Sequence, residues 1–157
     1  MKEAVFSRAV TLSEQLIPFI LVTILKTEGS TSRNQGYMLV ESDGRMSGTI
    51  GGGALEAYAQ SQAIDLLSGE ETYRHLQFRV DQGAIRDAGT VYMYLLKCNT
   101  EATRAAFPSL LLWQKQDRFH VLGIQILPEP ALLGLCEGGA TIGAVHPRFL
   151  SEAKEVL

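Results

Sequence analysis

Cysteine is scarce in this chain: Cys98 and Cys136 are its two cysteines in 157 residues, and they form no CxxC pair and no ligand cluster. A reducing, cytoplasmic setting is expected. Long apolar runs are missing as well. Leu16 to Leu25 is the most apolar stretch, yet Pro18 and Thr23 interrupt it, and roughly ten residues is half of what spans a bilayer. Met1-Lys2-Glu3-Ala4 has neither the basic region nor the apolar run of a signal peptide, so no leader and no membrane partner are expected. Charge of one sign is not in excess. Lys and Arg total 14 against 17 Asp and Glu, a net of −3, which leaves no broad basic footprint for nucleic acid. Walker A, GxSxG, HExxH and GxGxxG motifs are all absent. His75, His120 and His146 have no metal-ligand spacing. With no nucleophile–base pair or metal set in view, the chain is expected not to be an enzyme and to hold no metal.

What is present is enough for a core. The hydrophobic fraction is 46%, ordinary for a globular domain, and a chain of this length buries roughly two thirds of its unfolded surface. Apolar spacing predicts a helix over 3–16, ended by Pro18. Branched residues predict a buried strand over 19–26. The polar run 27–36 must be a surface loop. Asp43-Gly44 predicts a two-residue hairpin between strands 37–41 and 45–49. Leu55, Ala59, Ala63, Leu66 and Leu67 share one face of a helix over 54–68, stopped by Gly69. Strands follow at 73–80 and 90–97, with 81–89 read as a loop. A helix over 101–115 is capped by Thr100 and kinked or restarted by Pro108. A strand at 119–127, a second hairpin through Glu137-Gly138-Gly139 and a last helix opened by Pro147 complete the chain. The expected fold is α+β (mixed α/β), a single domain over 1–157 with a mixed sheet, hairpins and three to four helices. A faint echo links Leu21–Ile24, Asp43-Gly44 and Gly48–Gly51 to Val121–Ile124, Gly138-Gly139 and Ala140–Gly143.

The stretch that carries chemistry is Gly48-Thr49-Ile50-Gly51-Gly52-Gly53-Ala54-Leu55-Glu56. Three successive glycines between a strand and a helix cost backbone entropy. Their amides, joined by the open N–H groups of the first helical turn, make a cradle for a phosphate or carboxylate at the positive end of the helix dipole. Thr49 adds a hydroxyl. Glu56 either caps the helix or receives a donor from a ligand. The competing reading is that the glycines only let the helix pack closely on the sheet. A second element, Gly29-Ser30-Thr31-Ser32-Arg33, offers hydroxyls and one guanidinium suited to phosphate or a pterin-like carbonyl. Both elements can open at the same sheet end.

These two segments, with Gly36, Met38 and Asp43-Gly44 between them, resemble the N-terminal domain of the XdhC/CoxI family, the xanthine dehydrogenase accessory factors. The resemblance is clear over 20–97, and the Rossmann-type C-terminal domain usual in that family is expected to be absent. Ser32 stands where the family usually has proline. Asp81 to Gly89 keeps Asp81, Gly83 and Gly89 but has no cysteine where the family commonly carries one.

The resemblance implies a cytoplasmic maturation factor that binds molybdenum cofactor (molybdopterin) transiently and delivers it to a molybdenum hydroxylase apo-enzyme. A cysteine desulfurase is an implied second partner, and a homodimer is expected. The implied cofactor-binding residues are Ser30, Thr31, Arg33, Thr49, Gly51, Gly52, Gly53 and Glu56. The alternative is a non-catalytic protein-interaction module of the same family that has lost cofactor handling, with Trp113, Phe119 and Tyr92 as candidate anchors.

Overall fold

A computed structural model describes residues 2–29, 36–82 and 85–157. Its contacts cluster into two compact units, 1–5 with 18–98, and 6–17 with 99–157.

In the first unit, β1 (Phe19–Gly29) is a branched apolar run whose Phe19, Ile20, Leu21 and Val22 are all fully buried. A strand buried on both faces belongs at the centre of a sheet. β1 indeed lies third in a five-stranded sheet with β2 (Tyr37–Val40), β3 (Met46–Thr49), β4 (Tyr73–Gln82) and β5 (Ile85–Cys98), in the order β3-β2-β1-β5-β4. Ile20, Val22, Met38, Val40, Met93 and Leu95 face one way. Against them packs α2 (Gly53–Ser68) through Ala59, Ala63 and Leu66, with Leu55 and Leu67 partly buried beside them. The predicted apolar face of this helix is therefore the one it uses. α1 (Lys2–Glu14) opens the chain and is divided between the units, up to Val5 in the first and from Phe6 in the second; it buries Val5, Phe6, Ala9 and Leu12. It ends four residues before Pro18. Leu16 takes φ +57° and the Ile17 amide donates to Leu12 O at 2.9 Å.

In the second unit, α3 (Glu101–Arg104) and α4 (Phe107–Lys115) replace the single predicted helix. Thr100 accepts from the Thr103 amide as the expected cap, and Pro108 sits in the first turn of α4, where it restarts the helix. β6 (His120–Gln125), β7 (Ala131–Cys136) and β8 (Thr141–Ile142) form a three-stranded sheet in that order. α5 (Pro147–Val156) follows, with Pro147 at its start as expected.

The α+β class is as expected. The mixed sheet is corrected: among the described residues the strands are divided between two sheets, and every pairing is antiparallel. Two local readings also change. Asp43-Gly44 is not a two-residue hairpin. Gly44 alone takes positive φ, the Glu41 amide bonds Arg45 O at 2.9 Å, and Asp43 Oδ1 accepts from the Arg45 amide at 2.9 Å. The expected loop over 81–89 is mostly hairpin arm, since Val80 pairs with Gly89 and Gln82 with Ile85. Backbone pairing between long antiparallel arms needs no apolar side chains, so hydropathy understated both strands.

Candidate functional site

The strand directions explain why the chemistry collects at one end of the five-stranded sheet. β1, β3 and β4 run the same way, because each is separated from the next by one antiparallel neighbour. The C-terminal ends of β1, β3 and β4 therefore point toward the same end of the sheet. Ser30, Thr31 and Arg33 lie outside the described residues.

The glycine turn begins where β3 stops. Ile50 is fully buried and anchors the chain. Gly51, Gly52 and Gly53 then take φ +134°, +84° and +59°. Gly52, the residue before α2, has ψ −175°, a combination essentially confined to glycine. The reason for glycine here is conformational, because an added Cβ at Gly52 or Gly53 would meet nothing within 4 Å. The close-packing reading fails at these two positions. It applies instead to Gly48, where a Cβ would strike the Val5 side chain and come to 2.6 Å from Tyr37 O.

The turn gathers donors onto a single oxygen. The amides of Ile50 (3.1 Å), Gly51 (3.2 Å) and Gly52 (2.6 Å) donate to Glu56 Oε2, and the Thr49 hydroxyl donates to the same atom. The Gly51 amide also reaches Thr49 Oγ1 at 3.2 Å. Burial pushes the Glu56 carboxyl up, but the Thr49 hydroxyl and the Gly52, Ile50 and Gly51 amides outweigh it and hold the carboxyl below its ordinary range. Thr49, Gly51, Gly52 and Glu56 are thus brought together as a nest for negative charge, with the chain's own carboxylate inside it. Glu56 thus accepts from the turn that leads into α2, not from the first helical amides.

The next amides, of Gly53, Ala54 and Leu55, have no acceptor among the described residues, as at any helix start. Ala54 and Leu55, with Gly52, line one side of a cavity of about 420 Å³ whose other side is Phe78, Arg79 and Val80. The Phe78 ring is steadied by Tyr58 at 5.5 Å. Arg79 is exposed and is the residue that sequence reading missed. Its signal was an arginine set between Phe78 and Val80 at the strand end nearest the glycine turn.

The remaining candidates are structural. Among the described residues no group of three His, Cys, Asp or Glu could hold a metal ion. His75 packs edge-on to Tyr94 at 5.0 Å, and burial, then Tyr73, pushes the Tyr94 hydroxyl up to about 12. His120 lies 5.7 Å from the Trp113 ring, and His146 Nδ1 caps α5 by accepting from the Phe149 amide. Both cysteines are buried, and neither is in a disulfide. Trp113 is buried, whereas Phe119 is 75% exposed. Among the described residues no helix is long and apolar enough to cross a membrane.

Residues 12–79 match the XdhC and CoxI family. The uncharacterized protein YqeB of Escherichia coli (strain K12) is 40% identical over 63 residues, which are 40% of this chain and 12% of YqeB. A crystal structure described as a xanthine dehydrogenase from Bacillus halodurans superposes with a TM-score of 0.62 at 21% identity, covering 88% of this chain and 45% of that one. That likeness establishes the fold, and the chain spans less than half the length of either protein. The family match from 12 to 79 takes in β1, β2, β3, α2 and the glycine turn between β3 and α2.

Proposed function

We propose that the chain is a non-catalytic accessory factor in the maturation of a molybdenum hydroxylase of the xanthine dehydrogenase type. It binds molybdenum cofactor transiently and hands it to the apo-enzyme. The observation that carries this reading is the cavity beside the glycine turn, which has Gly52, Ala54 and Leu55 on one wall and Phe78 and Arg79 on the other. The cavity volume, about 420 Å³, suits a small ligand. The donor set suits a phosphate-bearing, flat, polar ring system, and the family match over residues 12–79 supports a role related to xanthine dehydrogenase. The nest formed by the Ile50, Gly51 and Gly52 amides already holds Glu56, so a phosphate belongs on the next amides, of Gly53, Ala54 and Leu55. Arg79 adds positive charge, and the Phe78, Leu55 and Val80 side chains supply apolar contact. The molybdenum and its ligands supply the redox chemistry of the client. This chain's residues bind, orient and release.

Titration of the purified chain with molybdenum cofactor tests the site. Arg79→Ala should weaken binding about ten-fold or more, the loss expected for a charged hydrogen-bond donor to phosphate. Equal binding by both proteins, or none by either, ends this assignment.

The second reading is the protein-interaction module of the same family. The occupation of the amide nest by Glu56 favours it, because the chain satisfies those donors by itself. A client subunit that co-purifies equally well with Arg79→Ala and with Gly53→Ala variants would support this reading over the first.

A further inference from the structure

The second unit has a cavity of its own, of about 430 Å³, between the α3–α4 segment and strands β7 and β8. Its volume is in the range of small-ligand sites. Ala106, Leu132, Leu133 and Ile142 line it with buried apolar surface. The space exists because the surrounding side chains are small, with Ala102, Ala105, Ala131 and Ala144 along the walls. Gly143 keeps one wall in place. It takes φ +74°, and a Cβ there would lie 2.9 Å from Leu132 O and 3.0 Å from Leu133 Cδ2.

The polar lining has one electrical character. Glu101 and Glu129, both exposed, are the acidic residues of the lining, and Ser109, Gln125 and Thr141 are its neutral polar ones. No Lys, Arg or His lines the cavity. Neither carboxylate has an ion-pair partner among the described residues. Gln125 Nε2 donates to Glu129 O at 3.0 Å, which ties the turn carrying Glu129 back to β6. An anionic ligand is disfavoured here, and a neutral apolar one would leave both charges without use.

We propose that this cavity binds a small organic cation, an ammonium group on a short apolar body. The body fills the alanine-walled space and the ammonium meets Glu101 and Glu129. The assignment is independent of the cofactor reading, whose ligand is an anion at residues of the other unit.

Benzylammonium, benzyl alcohol and benzoate are matched in size and differ in charge, so they serve as probes. In ¹H–¹⁵N correlation spectra of the full chain, benzylammonium should shift the amides of Ala105, Ala131, Thr141 and Gly143. Benzyl alcohol should do so more weakly, and benzoate should leave them unmoved. Glu129→Gln should weaken benzylammonium by up to about five-fold, the scale of an accessible ion pair. Ala105→Leu should abolish the shifts by filling the space, with an unchanged spectrum elsewhere reporting that the fold is kept. Glu152→Gln, outside the lining, should bind as the parent does. Equal response to all three probes, no response to any, or shifts mapping away from the cavity would overturn the proposal. Tighter binding of N-acetyl-lysine methylamide than of benzylammonium would also overturn it, in favour of a protein partner's side chain.

Discussion

The segment β1–β2–β3–α2 of the first unit and the segment β6–β7–β8–α5 of the second share one plan, an antiparallel meander followed by a helix. They solve the start of that helix differently. α2 begins after three glycines, and one carboxylate oxygen collects a hydroxyl and three amides. α5 begins on Pro147, which has no amide to satisfy, and His146 accepts a single N–H at 3.3 Å. Their glycines also differ in purpose. Gly52 is needed for a backbone angle, with open space around it. Gly123 and Gly134 are needed for room, since added Cβ atoms would strike the Phe149 ring and would lie 2.9 Å from Ile142 and 3.3 Å from Trp113. Glycine thus serves conformation where amides must converge, and packing where a helix lies close on a sheet.

That contrast can be broken most forcefully at Gly52. Gly52→Ala should cost about 3 kcal/mol, the upper end for an L-residue forced into that region, read as a lower urea midpoint. Because nothing crowds the site, trimming neighbours should recover none of it; recovery by any neighbouring truncation would show that the cause is steric. Gly123→Ala should cost about 2 kcal/mol from overpacking. Here a Phe149→Leu background should return a measurable part of the loss, and failure to do so would remove the distinction between the two glycines.

The smallest of the three effects, and the sharpest test of the nest, is at Glu56. Glu56→Ala should cost about 1.5 kcal/mol at neutral pH, within the range of a lost helix cap, and more than His146→Ala, which removes one bond. The pH dependence has a fixed sign. The folded-state carboxyl titrates below its ordinary value of 4.5, so its contribution is fully present above that value and is lost as pH falls through the folded pKa. The gap between the parent and Glu56→Ala in urea midpoint should therefore narrow on acidification below about pH 4.5. A gap that stays constant down to pH 3 would mean that the carboxylate is not held by the amides.

Much of the local structure was legible in the residues themselves. Thr100 and Pro147 mark helix starts because a side-chain acceptor and a missing amide act within one turn. Leu55, Ala59, Ala63 and Leu66 mark a buried face because their spacing matches the helical period. Part of the site was legible too, since only glycine tolerates the angles at Gly51 to Gly53. Glu56 was legible only as two possibilities, cap or ligand acceptor. Arg79 was not legible as a neighbour of Ala54. The two are brought together through β4's pairing with β5 and β5's pairing with β1. No local pattern in 73–80 names its partner strand.

By itself, then, the order of residues determined which segments are helices and strands, which faces they bury, and where the backbone must bend to aim amides outward. Those are consequences of sterics and periodicity over a few residues. Tertiary structure alone decided that the strands separate into two antiparallel sheets, that Phe78 and Arg79 wall the cavity beside the glycine turn, and that alanines from α3, the α3–α4 junction and β7 line a second cavity with two acidic residues. Pairing register and helix packing set those neighbours over long sequence separations. The free energy that selects among registers is spread over the whole buried surface and is not written at any one position.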